Sequence, residues 1–325
     1  MSELLKVGVF GVGALGRHHA RLYHENPKAD VVGIFDVNRE SAEKVGAEFG
    51  LKVFDDWKSL AEACDAMSVA VPANFHASAT IPLLEMGKHV LSEKPLAATV
   101  EEGEAIFKAA EKNNVVLGVG HVERFNPAMD YLMANRTSPR YIEANRLAKY
   151  PPSRPGLPPR GTEVSVILDL MVHDIDLVLA LVDAEVEKID VLGSAVLSPG
   201  EDIVKARIKF VNGSCADITS SRLSLEPVRQ VKVYQDEMCL DMDFGNVCGK
   251  RLARTGNEIT SQDITLEAKN ALAAELDDFI DAVNKTRATG KIHETRVSGA
   301  AGLKALKLAA AIEEEVRRYN KQYGF

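Results

Sequence analysis

The chain has 325 residues, of which 46% are hydrophobic and 26% are charged, and its formal net charge is -8. This length is typical of about two globular domains with sizeable cores. An acidic balance without a block of Lys and Arg argues against nucleic-acid and anionic-membrane partners, because both need clustered cations. Small molecules and further copies of the chain are the expected partners.

The four cysteines, Cys64, Cys215, Cys239 and Cys248, are scattered without a Cys-x-x-Cys pair. This spacing indicates neither a disulfide framework nor a zinc site, so reduced thiols and no metal are expected. The first residues lack a charged region followed by a long apolar stretch, and no run of about 18 apolar residues occurs. We therefore expect a soluble, cytoplasmic protein without a membrane segment.

Between Lys6 and Gly120, short apolar runs alternate with helical patterns, which is typical of βα units and a parallel sheet buried on both faces. The runs are KVGVF, VVGIF, KVF, AMSVAV, KHVLS and VVLGV. The sequence therefore predicts a doubly wound α/β domain over residues 1–122.

The pattern changes after Glu123, where a second domain, 123–325, is predicted. A proline-rich stretch from Tyr150 to Arg160 precedes an apolar helical segment from about Val164 to Val182. Alternating strands follow, and Asn212-Gly213 supplies a hairpin turn between two of them. These patterns indicate an α/β domain dominated by an antiparallel sheet.

The first apolar run leads directly into GVGALG, in which Gly11, Gly13 and Gly16 have the GxGxxG spacing at the start of a helix. Glycines there allow a tight turn, so that a pyrophosphate can approach the free N–H groups of the helix end. Asp36 ends the second strand, where a carboxylate accepts the ribose hydroxyls of NAD and repels the 2′-phosphate of NADP. Arg39 could pair with that phosphate, so NADP stays open although NAD is favoured.

Other cofactor contacts are expected at the carboxyl ends of the strands, where doubly wound sheets bind ligands. The full set is Gly11, Val12, Gly13, Ala14, Leu15, Gly16, Asp36, Val37, Arg39, Ala70, Pro72, Asn74, His76, Glu93, Lys94 and Arg124. For Asn74, a role as a helix cap is compatible with a cofactor contact.

The stretch LSEKPL places Lys94 at the end of a strand on that same side, and Pro95 restricts the backbone of Lys94. A cation there can stabilise an alkoxide or carbonyl oxygen during hydride transfer. The alternative is an ordinary surface lysine in a turn.

The segment VSVILDLMVHDIDLVLALV is apolar nearly all round, as a buried helix is, yet it contains four titratable groups. Asp169 and His173 are at i and i+4, and His173 and Asp176 are at i and i+3, so these three share one face. Burying such groups costs free energy unless they are paired or used. A carboxylate beside an imidazole suits a general base; a structural His–Asp pair is the alternative.

In this order, the glycine turn, SEKP and DLMVHDID resemble the Gfo/Idh/MocA oxidoreductase family, and the resemblance covers essentially the whole chain. It implies a Rossmann domain, a C-terminal α/β domain with a large open sheet, and NAD(P)-dependent oxidation or reduction of a sugar or cyclitol hydroxyl. It places the catalytic groups at Lys94, His173 and Asp169, and it implies a commonly cis bond before Pro95. A homodimer or homotetramer is expected through the open sheet.

GVGHVERFNPA (118–128) and the loop with arginines and prolines resemble the branch that oxidises the 3-hydroxyl of UDP-N-acetylglucosamine to a 3-keto sugar. A nucleotide sugar needs cations for its diphosphate, although each arginine could equally be a solvated surface charge. The expected substrate contacts are Lys94, Glu123, Arg124, Arg146, Arg154, Arg160, Asp169 and His173.

In the expected reaction, His173 removes the hydroxyl proton, Lys94 stabilises the alkoxide and Asp169 orients the imidazole. Lys94 is the alternative base if burial favours its neutral form. Two other functions stay open. One is a dehydrogenase of inositol or another free sugar. The other is a non-catalytic NAD(P)-binding regulator, which is disfavoured because all three catalytic residues are present.

Overall fold

The computed structural model describes residues 4–152, 159, 161–162 and 164–324, and the chain divides into two compact units. The first unit contains Met1–Val122 and Asn270–Leu306, and the second contains Glu123–Lys269 and Lys307–Phe325. The predicted second domain, 123–325, differs from this division because Asn270–Leu306 groups with the first unit.

The helices and strands in chain order are β1 Leu5–Phe10, α1 Gly16–Glu25, β2 Ala29–Phe35, α2 Arg39–Phe49, α3 Trp57–Ala63, β3 Ala66–Val69, α4 His76–Glu85, β4 His89–Glu93, α5 Val100–Asn113, β5 Leu117–Gly120, α6 Pro127–Asn135, β6 Tyr141–Leu147, α7 Val172–Val182, β7 Val186–Ser194, β8 Ile203–Phe210, β9 Cys215–Ser221, β10 Val228–Gln235, β11 Met238–Asp243, β12 Cys248–Thr255, β13 Glu258–Thr265, α8 Ala271–Thr289 and α9 Gly299–Tyr323. Short 3-10 turns lie at Ala73–Phe75 and Val122–Phe125, and a π-helical turn lies at Ile167–Met171.

The first unit is built on a parallel sheet in the order β2-β1-β3-β4-β5. The apolar runs of the sequence form these strands, with one exception. Val53 of the predicted strand KVF makes only an isolated bridge to Ile34. Between Gly50, which ends α2, and Asp56, which caps α3, the chain exchanges two backbone hydrogen bonds with Ile34 of β2, which make one bridge and not a ladder.

Helix α8 completes the core of the first unit. Its apolar stripe of Leu276, Phe279, Ile280 and Val283 belongs to the same buried cluster as Val7 of β1 and the residues around it. These positions repeat at three and four residues, which is the spacing of one helix face. The stripe explains why a segment from the C-terminal part of the chain belongs to the first unit.

The second unit contains a sheet in the order β13-β12-β11-β10-β6-β9-β8-β7, antiparallel except for the pair of β6 and β9. The predicted hairpin turn is present: β8 and β9 pair on either side of Asn212-Gly213, and Gly213 has a φ of 84°. The two sheets confirm the predicted α/β class. No helix among the residues that the structure describes is long and apolar enough to span a membrane.

The predicted helix from Val164 to Val182 does not form as one α-helix. Its first part, Ile167–Met171, is a π-helical turn, and α7 begins only at Val172. A π turn has a wider hydrogen-bond ring than the α-helix and is frequent at functional sites.

Replacing Phe279 with alanine should lower the stability of the first unit by about 3–5 kcal/mol, because a fully buried ring is lost from its core. Urea unfolding followed by the fluorescence of Trp57, the chain's one tryptophan and a residue of this unit, measures the change. The control Lys285→Ala, at an exposed position of the same helix, should change stability by less than about 0.5 kcal/mol. An unchanged midpoint for Phe279→Ala would contradict the packing of α8 on this core.

Candidate active site

The parallel strands of the first unit end at one edge of their sheet. Gly11 follows β1, Asp36 follows β2, Ala70 follows β3 and Lys94 follows β4. Because the strands are parallel, the predicted dinucleotide turn and the predicted catalytic lysine lie on this same edge of the first unit.

The glycine turn is tightly packed at Gly11 and Gly16 and open at Gly13. Gly11 has a φ of +87°, and a Cβ there would lie 2.8 Å from the carbonyl oxygen of Ala70. A Cβ on Gly16 would lie 1.8 Å from the carbonyl oxygen of Gly11. At Gly13, by contrast, nothing lies within 4 Å of the position of a Cβ. The turn therefore needs glycine to close, and it leaves room at Gly13 for a pyrophosphate to approach the backbone.

Asp36 is held against this turn. Its Oδ2 accepts a hydrogen bond from the N–H of Val12 and its Oδ1 accepts one from the N–H of Asn38, both at 2.8 Å. The carboxylate is thus oriented beside the glycine turn, which is where the ribose of a dinucleotide would need it.

Arg39 is engaged with carboxylates of its own unit. Its Nε donates to Glu43 at 2.8 Å and its Nη1 donates to Asp55 at 2.6 Å. Arg39 is also the first residue of α2, and half of its side chain is exposed. This is the arrangement of an ordinary helix-start residue.

Most of the other predicted cofactor contacts on this edge are accessible. Those that are exposed or half-buried are Gly13, Ala14, Leu15, Val37, Ala70, Pro72 and Asn74, whereas Val12 is buried. Phe75, which the sequence analysis did not single out, is 53% exposed on the same edge. Exposed apolar side chains such as Leu15, Val37 and Phe75 suit the flat faces of nucleotide rings.

His76 was predicted to contact the cofactor, and the structure gives it a different role. The ring is buried, with Nδ1 2.7 Å from the carbonyl oxygen of Pro95 and Nε2 2.9 Å from that of Val71. Both nitrogens face carbonyl oxygens of the protein, and a neutral ring donates its one N–H to one of them. Burial lowers the pKa of His76, although the two carbonyls oppose this effect. The ring links the loops that follow β3 and β4.

Glu93 was likewise predicted to contact the cofactor, but the residue is 7% exposed and its carboxylate is paired inside the first unit. Oε1 lies 2.9 Å from Nε2 of His19, and Oε2 accepts a hydrogen bond from the N–H of Lys94 at 3.2 Å. Burial alone would raise the pKa of Glu93, but hydrogen bonding to His19 and the nearby positive charges bring it below its usual value.

His19 is a residue that the sequence analysis missed. It lies on α1, is fully buried, and its Nδ1 is 2.7 Å from Oγ of Ser68. A signal was available, because His19 falls at three- and four-residue spacing with the buried Gly16 and Tyr23 on the inner face of this helix.

In the second unit, the π turn carries Asp169, and His173 is the second residue of α7. Both side chains are half-buried. Gly161 has a φ of +86°, and a Cβ there would lie 2.5 Å from Oδ2 of Asp169, so this glycine leaves the space that the carboxylate occupies.

A second missed group, Arg222, holds the chain at this point. Its Nη1 donates to the carbonyl oxygen of Gly161 at 2.8 Å and its Nη2 donates to that of Val164 at 3.1 Å. Asp202, fully buried, lies 3.8 Å from Nε of Arg222. No local sequence pattern could reveal this contact, since Arg222 lies 61 residues from Gly161.

Arg146 was predicted to bind a substrate diphosphate, and the structure places it in the interior of the second unit. The side chain is buried, donating from Nε and Nη2 to Asp174 at 3.1 and 3.0 Å and from Nη1 to Glu123 at 2.9 Å. The guanidinium brings one positive charge to two carboxylates, and Nη1 of Arg229, 3.6 Å from Oε1 of Glu123, brings a second. Burial raises the pKa of Asp174, and the guanidinium opposes that rise.

Glu123, a predicted substrate contact, is therefore a buried partner of Arg146, and it also accepts a hydrogen bond from Asn126 at 3.1 Å. Arg124 donates to Asp176 of α7 at 3.3 Å and is mostly buried. The two other predicted diphosphate ligands, Arg154 and Arg160, lie outside the described residues. Among the residues with described positions, no group of three His, Cys, Asp or Glu could hold a metal ion.

Comparison with known proteins identifies the relatives of this chain. Residues 5–121 match the model of an oxidoreductase family with an NAD-binding Rossmann fold, and residues 138–239 match the model of the GFO/IDH/MocA C-terminal domain. UDP-N-acetylglucosamine 3-dehydrogenase of Acidithiobacillus ferrooxidans is 32% identical over 97% of this chain and 98% of its own. The scyllo-inositol 2-dehydrogenase (NAD(+)) of Bacillus subtilis is 28% identical over 69% of each chain.

Comparison with solved structures gives the same family relationship. The crystallised UDP-N-acetylglucosamine 3-dehydrogenase of Acidithiobacillus ferrooxidans superposes with a TM-score of 0.89 at 32% identity, covering 98% of this chain and 99% of that one. A levoglucosan dehydrogenase in complex with NADH shares the fold, with a TM-score of 0.84 at 20% identity over 97% of this chain and 98% of its own. The chain therefore belongs to the Gfo/Idh/MocA family of NAD-binding oxidoreductases.

Proposed function

We propose that this chain is an NAD-dependent dehydrogenase that oxidises the 3-hydroxyl of UDP-N-acetylglucosamine, or of a related UDP-sugar, to a ketone. The observation that carries the chemistry is the shared edge in the first unit, which bears the open glycine turn, the oriented Asp36 and Lys94. The substrate is inferred from the full-length similarity to UDP-N-acetylglucosamine 3-dehydrogenase.

The residues present fit a dinucleotide. The backbone at Gly13 has the free space that a pyrophosphate needs, and the carboxylate of Asp36 stands beside that turn to receive ribose hydroxyls. The exposed Leu15, Val37 and Phe75 supply apolar surface for its rings. NAD held there would supply the acceptor for the hydride of the sugar carbon.

The side chains of the protein handle the proton and the charge. His173 removes the proton of the hydroxyl, Asp169 orients the imidazole, and Lys94 stabilises the alkoxide that develops on the oxygen. Lys94 is the alternative base. The products are a keto sugar, a reduced nicotinamide and one proton.

A dehydrogenase of inositol or a free sugar is a second candidate, because one observation favours it. Arg146 is neutralised by Asp174 and Glu123, which leaves a nucleotide diphosphate without one of its expected cations. The similarity to scyllo-inositol 2-dehydrogenase supports the same candidate.

Purified protein with NAD should develop the absorbance of reduced nicotinamide when UDP-N-acetylglucosamine is added, with an aminotransferase and glutamate present to remove the ketone. Free N-acetylglucosamine should give no signal. Lys94→Ala and His173→Ala should each retain NAD binding but lose turnover by about 10²- to 10⁴-fold, the usual contribution of a positioned acid or base.

Turnover of inositol or a free sugar without turnover of the nucleotide sugar would favour the second candidate. NAD binding without turnover of any sugar would instead favour a regulator, and near-normal turnover in either variant would contradict its assigned role.

Asp36→Ala should weaken NAD binding by roughly tenfold to a hundredfold, because hydrogen bonds to a charged group contribute about 1.5–3 kcal/mol. It should also relax discrimination against NADP, since the carboxylate no longer repels the 2′-phosphate. Titration of both cofactors by calorimetry measures this. The control Glu40→Ala removes an exposed carboxylate from the neighbouring helix and should change neither affinity; an equal loss there would contradict a specific role for Asp36.

We further propose that the protein forms a homodimer or homotetramer through the large sheet of the second unit. Tyr141, Tyr234, Cys239 and Leu252 are successive cross-strand partners on β6, β10, β11 and β12, so they form one stripe on one face. The two tyrosine rings stack at 5.5 Å, and Leu252 is 48% exposed. An apolar stripe on an open sheet suits pairing with the same stripe of a second copy.

Sedimentation velocity of the full chain should therefore show a dimer or tetramer. Tyr234→Glu, which places a charge in the stripe, should shift the protein toward the monomer. The control Thr255→Lys changes an exposed residue of β12 that lies three positions from Leu252, so its side chain is on the other face, and it should leave the assembly intact. A wild-type monomer at micromolar concentration would contradict the proposal.

A further inference from the structure

The turn that carries Lys94 is fixed by buried polar residues on both sides, and none of them takes part in the mechanism above. We call Glu93–Leu96 the lysine turn. Glu93 precedes the lysine and contacts His19, while the carbonyl of Pro95 follows it and contacts His76. All these residues belong to the first unit.

The pair of His19 and Glu93 crosses the interior of that unit. His19 is 0% exposed on α1, and Glu93 is 7% exposed at the end of β4. Nε2 of His19 lies 2.9 Å from Oε1 of Glu93, and Nδ1 lies 2.7 Å from the hydroxyl of Ser68, which can donate or accept, so both ring nitrogens have partners. The pair therefore joins the helix of the dinucleotide turn to the lysine turn.

The second oxygen of Glu93 acts directly on the lysine turn, since Oε2 accepts the backbone N–H of Lys94 at 3.2 Å. The end of β5 provides the space for this carboxylate, because a Cβ on Gly120 would lie 3.0 Å from Oε2. Glu93 thus links two fixed points, the ring of His19 and the backbone of Lys94.

Stability alone is a poor explanation for this arrangement. Burying a carboxylate beside an imidazole costs desolvation free energy, and apolar residues of similar volume often stabilise a core as well or better. This desolvation cost has a reason if the pair fixes the position of a catalytic group such as Lys94. A displacement of a catalytic group by about 1 Å can lower the reaction rate by about 10²-fold.

We propose that Glu93 and His19 are positioning residues that hold Lys94 in its reactive place, and that His19 ties this place to the helix that begins at the dinucleotide turn. The proposal rests on the proposed function in one respect, the catalytic role of Lys94. His76, which holds the carbonyl of Pro95, supports the turn from its other side.

Steady-state kinetics of Glu93→Gln, His19→Leu and His19→Gln test the proposal. Glu93→Gln keeps the size of the side chain and removes its charge, and His19→Leu removes the hydrogen bond. Both should lower kcat by about 10- to 100-fold while the KM for the sugar and the affinity for NAD stay near wild type. His19→Gln, whose amide can donate to Glu93, should recover part of the loss.

A merely structural role would not change the chemical step selectively. The deuterium isotope effect on kcat, measured with sugar deuterated at the reacting carbon, should rise in both damaged variants because hydride transfer becomes slower. The matched control is His24→Leu, at an exposed position in the last turn of the same helix, which should behave as wild type. Trp57 fluorescence checks folding; if His19→Leu does not fold, Glu93→Gln decides the outcome.

A readout without turnover separates this proposal from the proposed function. The rate at which acetic anhydride modifies Lys94, relative to the exposed Lys108 and measured by peptide mass spectrometry, should change in Glu93→Gln and not in His24→Leu. Wild-type kcat and an unchanged rate of Lys94 modification in folded Glu93→Gln would overturn the positioning role. Equal loss of NAD affinity and kcat would overturn it too, because the pair would then serve the dinucleotide turn. Failure of the wild type to oxidise any sugar would reject only the proposed function.

Discussion

The candidate site of the first unit depends on one constraint, which is that all five strands of its sheet, β1, β2, β3, β4 and β5, run parallel. Parallel strands all end on one edge, so residues that follow different strands come together although they are far apart in sequence. The glycine turn, Asp36 and Lys94 owe their common location to this pairing. Loops that follow such strands can then carry specific chemistry without changing the sheet.

In the second unit, the comparable constraint is the buried guanidinium of Arg146. It connects β6 to α7 through Asp174 and to the Val122–Phe125 turn through Glu123. Removing Arg146 would leave two buried carboxylates without the cation that they share, so Glu123 and Asp174 both depend on it. Asp174 directly follows His173, and the position of this helix is therefore fixed electrostatically as well as by apolar packing.

The family, the α/β class and the dinucleotide turn could be predicted from sequence because their signals are local. Apolar runs give the strands, and Gly11, Gly13 and Gly16 give the turn within a few residues. The buried contacts of Arg146, His76 and Glu93 could not be predicted, because their partners are distant in sequence. Arg146 and Asp174 are 28 residues apart, His76 and Pro95 are 19 apart, and Glu93 and His19 are 74 apart. A polar residue reads the same in the sequence whether its side chain faces a ligand or a buried partner. The π turn at Asp169 could not be predicted for another reason, which is that α and π turns accept the same apolar residues.

The first unit is discontinuous in sequence, and this has a consequence for how the chain is made. Its core requires Phe279 and the other apolar residues of α8, yet residues 123–269 of the second unit are synthesised first. At about 5–20 residues per second, the ribosome needs on the order of ten seconds for that interval. During this time the emerged parallel sheet lacks the helix that covers part of its apolar surface. Nascent chains of this protein therefore expose a hydrophobic patch of defined location and duration, which is the kind of surface that general chaperones bind.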